Sequence, residues 1–139
     1  MRAVLDTSVL VAALRSRRGA SFELLRRLRA GEWKLILSNT VLAEYEEVLK
    51  RESPAFWLST NEIDHLLDAL CQLAERRQLG EKWTPILVDP EDEAFARLAW
   101  ETGADCLVTF NIRHFAPLRQ LDIPVLTPGD FLSKLKTAP

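Results

Sequence analysis

The sequence predicts a three-layer α/β/α domain built on a short parallel sheet, and three of its features carry that expectation. Short apolar runs such as Ala3-Val4-Leu5 and Cys106-Leu107-Val108 suit strands buried on both faces. Stretches whose apolar residues recur at helical spacing stand between those runs, and strands alternating with amphipathic helices favour a parallel sheet. No repeat, low-complexity tract or linker interrupts the alternation, so residues 1–139 are expected to form a single domain around one core.

Ala3-Val4-Leu5 ends at the polar trio Asp6-Thr7-Ser8, after which Val9 to Leu14 resumes without Gly or Pro; this reads as buried strand, turn and helix. Between Gly19 and Gly31, Phe22, Leu25 and Leu28 recur at three-residue steps beside Leu24, which predicts a second amphipathic helix among arginines. Trp33 to Leu37 makes the second strand. Ser38 or Asn39 can cap a third helix that runs through Val41, Leu42, Tyr45, Val48 and Leu49 until Ser53-Pro54 stops it. A fourth helix is expected from Asn61 to Gln78. Ile86-Leu87-Val88 then reads as strand, Glu91 to Thr102 as helix, Cys106 to Val108 as strand, and Val125-Leu126 as a last short strand. Thr127 at the N-cap, Pro128 at the first helical position and Asp130 two further on open the final helix.

Composition narrows the function classes. The chain is 47% hydrophobic, and its 18 basic and 20 acidic residues nearly cancel, so any surface for nucleic acid must be local. Its two cysteines, Cys71 and Cys106, stand in apolar stretches without CxxC spacing, which suits reduced core thiols rather than a disulfide framework. The longest apolar stretch, Val9 to Leu14, falls well short of the ~20 residues of a membrane span. The opening Met-Arg-Ala-Val-Leu-Asp breaks too soon for the apolar region of a signal peptide. A cytoplasmic protein without a membrane partner is the expectation.

Open parallel sheets bind ligands in the crevice beyond the carboxyl ends of their strands, and that rule sorts the acidic residues. Asp6 directly follows its strand and should stand at that edge; its alternative role is a helix N-cap, which Thr7 or Ser8 could also fill. Glu44 falls at the border of the apolar stripe of its helix, between Val48 and Thr40, whereas Glu46 and Glu47 fall on the outer side. Asp92 belongs to the cluster Asp89-Pro90-Glu91-Asp92-Glu93, whose alternative role is a favourable charge at a helix N-terminus. Within it Asp92 projects with Phe95, Ala96 and Ala99 toward the core, and Glu93 projects outward. Asp105 precedes its strand, so it belongs to the opposite edge and is excluded. Three converging carboxylates would repel one another without a cation. Mg²⁺ or Mn²⁺ held by Asp6, Glu44 and Asp92 resolves that, and supplies Lewis-acid chemistry suited to a phosphodiester. No Ser-His-Asp or Cys-His arrangement competes.

These residues, in this order, resemble the PIN domain, a fold associated with metal-dependent ribonucleases and with VapC-type toxins of toxin–antitoxin pairs. The likeness covers nearly the whole chain and rests on Val4-Leu5-Asp6-Thr7-Ser8, Ser38 to Glu44, Asp89-Pro90-Glu91-Asp92 and Gly103 to Thr109. It implies an RNA endonuclease with an antitoxin partner. It implies that Asp6, Glu44 and Asp92 are the metal ligands, and that Thr7 or Ser8 and Thr109 line the site. Family members commonly carry Asp two residues after this Thr, where this chain has Asn111. Asn111 offers a neutral oxygen, so a site with one metal is expected, and His114 stands close enough in sequence to contact phosphate or orient water. The competing expectation, which Asn111 favours, is a catalytically weak PIN-like module that binds RNA or a protein partner, and a homodimer is compatible with either. An aspartyl-phosphate enzyme with Asp6 as nucleophile is disfavoured, because the haloacid-dehalogenase-like pattern wants Asp where Ser8 stands. Arg15, Arg17 and Arg18 are candidates for RNA phosphates, with a solvated helix face as their alternative. The tryptophans are scattered singly, which favours core or interface packing over base stacking, and Trp57, beside Phe56 after Pro54, is the one expected to be exposed.

Overall fold

The computed structural model describes residues 1–80 and 83–137. Strands β1 (Arg2–Leu5), β2 (Lys34–Leu37), β3 (Glu75–Arg76), β4 (Cys106–Val108) and β5 (Val125–Leu126) form one all-parallel sheet in the order β3-β2-β1-β4-β5. Helices α1 (Thr7–Arg15), α2 (Ala20–Arg29), α3 (Asn39–Arg51), α4 (Thr60–Leu73), α5 (Glu93–Glu101) and α6 (Pro128–Thr137) flank it, giving the three-layer α/β/α arrangement. Ala3 to Leu5, Leu35 to Leu37 and Cys106 to Val108 have no exposed surface, so the three central strands are covered on both faces. Their unbroken apolar character follows from that double burial. No helix among the described residues is long and apolar enough to cross a membrane.

The caps lie where the sequence places them. Ser38 Oγ accepts the Val41 N–H at 3.2 Å, and Thr127 Oγ1 accepts the Asp130 N–H at 3.1 Å. Helix α2 ends where Gly31 adopts φ 78°, a left-handed conformation that lets the Gly31 N–H reach the Leu28 carbonyl and the Glu32 N–H reach the Arg27 carbonyl.

Two elements depart from expectation, for one reason. Helix α4 stops at Leu73 instead of running to Gln78, and Glu75–Arg76 pairs with the free edge of β2 as β3. Glu75-Arg76-Arg77-Gln78 are all good helix formers by propensity, but the open β2 edge and Arg2 both reward an extended chain. The Arg2 guanidinium donates to both carboxylate oxygens of Glu75, at 3.0 and 2.7 Å. With that edge taken, Ile86-Leu87-Val88 is not a strand, and Val88 is fully exposed. The segment is held by Glu93 instead, whose carboxylate accepts the N–H groups of Ile86 and Leu87 and the Trp83 indole N–H. Glu93 therefore faces this segment rather than solvent. Residues Ile112–Leu121, for which no element is expected, form an irregular 3₁₀ stretch containing Pro117. Trp57 is exposed as expected, Trp100 is exposed as well, and both cysteines are free.

Candidate functional site

The chain passes from β1 to β2 and β3 on one side of the sheet and returns to β4 and β5 on the other. The carboxyl ends of β1 and β4 therefore flank the point where strand order reverses, which is where a crevice opens in such sheets. Register decides what stands there. Leu5 pairs with Val108, so Asp6 and Thr109 emerge side by side, and the Asp6 N–H extends the ladder to the Val108 carbonyl at 2.9 Å.

Asp6 occupies the N-cap position of α1 but its side chain makes no capping bond. Its Oδ2 instead accepts from Ser8 Oγ at 2.8 Å and from Thr109 Oγ1 at 2.7 Å. Each hydroxyl in turn accepts a backbone N–H, Phe110 to Ser8 Oγ at 3.3 Å and Asn111 to Thr109 Oγ1 at 2.9 Å. The loop after β4 is thus tied to a carboxylate left only 5% exposed. Tyr45 on α3, which sequence reasoning assigned to the core alone, also serves this edge. Its buried hydroxyl donates to the Leu5 carbonyl at 2.6 Å, and burial together with the Asp6 charge pushes its pKa well above the ordinary tyrosine value. A tyrosine inside an apolar stripe is the only sequence signal for it, since a buried phenol needs a partner.

The acidic cluster separates by role. Asp89 accepts the Glu91 N–H at 2.9 Å and caps the turn, Glu93 holds the preceding segment, and Glu91 is exposed. That leaves Asp92, directed inward as expected, with 14% of its side chain exposed. Burial first, then the charges of Asp6 and Asp89, push its carboxyl up to about 6, against a smaller opposing pull from His114. His114 Nδ1 lies 3.3 Å from Asp92 Oδ2 but off the hydrogen-bonding direction, so this buried oxygen has no donor.

Asp6, Ser8, Thr109, Asp92 and His114 thus meet at one edge. Glu44 is half-buried on α3, and its pKa is raised by burial and then by Glu47 and Glu91. Among the described residues no three His, Cys, Asp or Glu side chains stand close enough to hold an ion as they are. The Asp6–Asp92 pair nonetheless fits a hard divalent cation, for it sets two like charges together around a buried, donorless oxygen. Thr7 Oγ1 is also buried without a partner. Asn111 is exposed and enters the network through its backbone N–H. Asp105 lies at the opposite edge, accepting the Arg2 N–H at 2.7 Å, as its position before β4 requires. Of the candidate arginines, Arg15 pairs with Glu52 at 2.9 Å, Arg17 lies 4.1 Å over the Trp57 ring, and Arg18 is exposed.

Comparison with known proteins adds the following. A family model described as PIN domain matches residues 2–113. The fold is shared with VapBC2 from Rickettsia felis, a structure bound to a DNA fragment from their promoter, at a TM-score of 0.63 and 21% identity over 91% of this chain and 98% of that one. It is shared also with VapBC-1 from nontypeable Haemophilus influenzae, at a TM-score of 0.61 and 18% identity over 93% of this chain and 99% of that one. No curated protein matches the sequence.

Proposed function

The chain belongs to the PIN-domain family, and from that premise we propose that it is a divalent-metal-dependent RNA endonuclease, acting as the toxin of a toxin–antitoxin pair. The observation that carries the reading is the Asp6–Asp92 pair: two inward carboxylates at the strand-order reversal, one with a buried oxygen that no protein group satisfies. Mg²⁺ or Mn²⁺ would be held by Asp6 and Asp92, with Glu44 as the third carboxylate from α3. The chemistry such a cation supplies when bound is polarisation of a phosphoryl oxygen and activation of water for in-line attack.

The protein's own groups prepare that chemistry. Ser8 and Thr109 hold the Asp6 carboxylate in one rotamer through a single oxygen, leaving its other oxygen directed away from both hydroxyls. His114 places its Nδ1 3.3 Å from Asp92 Oδ2, where the imidazole would contact a bound phosphate or orient a water. Arg15, Arg17 and Arg18 stand at and just beyond the far end of α1 from Asp6, and would supply positive charge for a polyanion. The fold shared with the two VapBC structures supports a VapC-type toxin whose partner is an antitoxin.

The purified protein should cleave single-stranded RNA with Mn²⁺ and not with EDTA, and Asp6→Asn, Asp92→Asn and Glu44→Gln should each abolish cleavage. Undiminished cleavage in all three variants would overturn the site. A second reading, a PIN module that binds without cutting, is favoured by Asn111, whose side chain brings no charge to the fourth position. Calorimetry separates the two, because folded protein that takes up no Mn²⁺ yet retains RNA selects the module.

A further inference from the structure

A trough of about 570 Å³ runs between α1 and α3, and it begins at the candidate site. Its α1 wall carries Thr7, Val11 and Arg15 at four-residue steps, with Ser8 and Ala12 beside them. Its other wall carries Val48 on α3 and Glu52 at the C-terminal cap of that helix, which continue the same step from Glu44. Thr7 at the start of α1 is followed two turns on by Arg15, about 12 Å away. The far end is closed by the Arg15–Glu52 ion pair at 2.9 Å, with the two side chains 53% and 30% exposed.

The chemistry changes along this trough. Hydroxyls stand at the site end, and among them Thr7 is 7% exposed with an Oγ1 that has no hydrogen-bond partner. Val11, Ala12 and Val48 make an aliphatic middle. A guanidinium closes the far end. A nucleotide next to a reacting phosphodiester presents a ribose hydroxyl, a base with an apolar face and a flanking phosphate, the three kinds of group that the trough's hydroxyls, aliphatic middle and guanidinium are suited to meet.

We infer that the α1–α3 trough receives the nucleotide adjoining the cleaved bond of a single-stranded RNA, and that its flanking phosphate takes Arg15 from Glu52. This rests on the ribonuclease reading and adds to it a direction for the strand and a resident competitor. Glu52 keeps the guanidinium pointed at the trough while no RNA is bound. An exposed ion pair contributes little to stability, so a phosphate can replace the carboxylate readily. The unpartnered Thr7 hydroxyl gives the ribose a donor and acceptor at the other end.

The test uses a fluorescein-labelled single-stranded RNA dodecamer of mixed sequence, with binding read by anisotropy across a salt series in the Asp6→Asn background and cleavage read with Mn²⁺ in the Asp6 protein. Arg15→Gln should weaken binding about tenfold and reduce the log–log salt slope by about one phosphate contact. Glu52→Gln should tighten binding by a few-fold, on the order of threefold to tenfold, by releasing Arg15. Both substitutions break the same ion pair, so a merely structural role moves them in the same direction. Opposite directions, each change clearly larger than those from the controls Arg51→Gln and Glu47→Gln at an exposed α3 ion pair that does not line the trough, support the trough, and opposite changes no larger than the controls' overturn it. Equal or same-sign changes, in a wild-type protein that cleaves RNA, overturn the trough and leave the ribonuclease reading standing. A wild-type protein that neither cleaves nor binds the dodecamer overturns both.

Discussion

A carboxyl group that ordinarily titrates at 3.8 but is pushed up to about 6 in the folded protein keeps its proton over an interval in which the unfolded chain has lost it. For Asp92 the folded state binds more protons between those values, so without metal the protein loses stability as pH rises from about 4 to about 6. Asp92→Asn removes that cost. In EDTA at pH 7.5 the variant should be more stable than wild type by about 1 kcal/mol, a figure reduced for solvent screening, and the difference should vanish near pH 4. Thermal melts at both pH values check the sign. A variant that melts below wild type in EDTA would mean that the ionised carboxylate is favourably paired.

At the scale of elements, two carboxylates hold pieces of chain that local pattern leaves undetermined. Glu93 gathers three N–H donors from residues 83–87 and thereby positions the turn that carries Asp89 and Asp92. Glu93→Ala should cost about 2 kcal/mol, speed amide exchange at Ile86 and Leu87, and shift the emission of Trp83, whose ring packs 5.6 Å from that of Trp100. Unchanged exchange at those amides would show that the segment is held by something else. Glu75 anchors the edge strand β3: the Arg2 guanidinium holds its carboxyl down at about 2, against an ordinary 4.5. Its contribution is present above about pH 4.5 and is lost as pH falls toward about 2. Glu75→Gln should therefore lower stability at neutral pH by about 1–2 kcal/mol after screening, and flatten the acid limb of the stability curve.

For the whole molecule, a cation that binds only the folded protein links the site to global unfolding. Mn²⁺ at about a hundred times its dissociation constant should add about 2.7 kcal/mol, which for a chain of this size raises Tm by about 5–10 °C. Asp6→Asn and Asp92→Asn should lose that rise. A rise of equal size in both variants would place the cation elsewhere. The same linkage opposes the pH effect of Asp92, because a bound cation favours the ionised carboxylate.

The sequence by itself determined the buried strands β1, β2 and β4, the Ser38 and Thr127 caps, the inward direction of Asp92 and the placement of Asp6 and Asp105 at opposite edges. These follow from patterns a few residues long: apolar runs, hydroxyls before helices, and the order of acid and strand. Tertiary structure alone decided that Glu75–Arg76 becomes the edge strand and that Ile86 to Val88 does not. It decided also that Glu93 turns back on that segment and that Tyr45 supports the Leu5 carbonyl. Asp6 shows why. Its position after β1 is legible locally, but the oxygen that Ser8 shares with Thr109 depends on a partner 103 residues away, brought alongside by the β1–β4 register. Local pattern encodes which residues are buried; which buried or edge group meets which is settled only when the sheet closes its pairings and each polar group must find a partner.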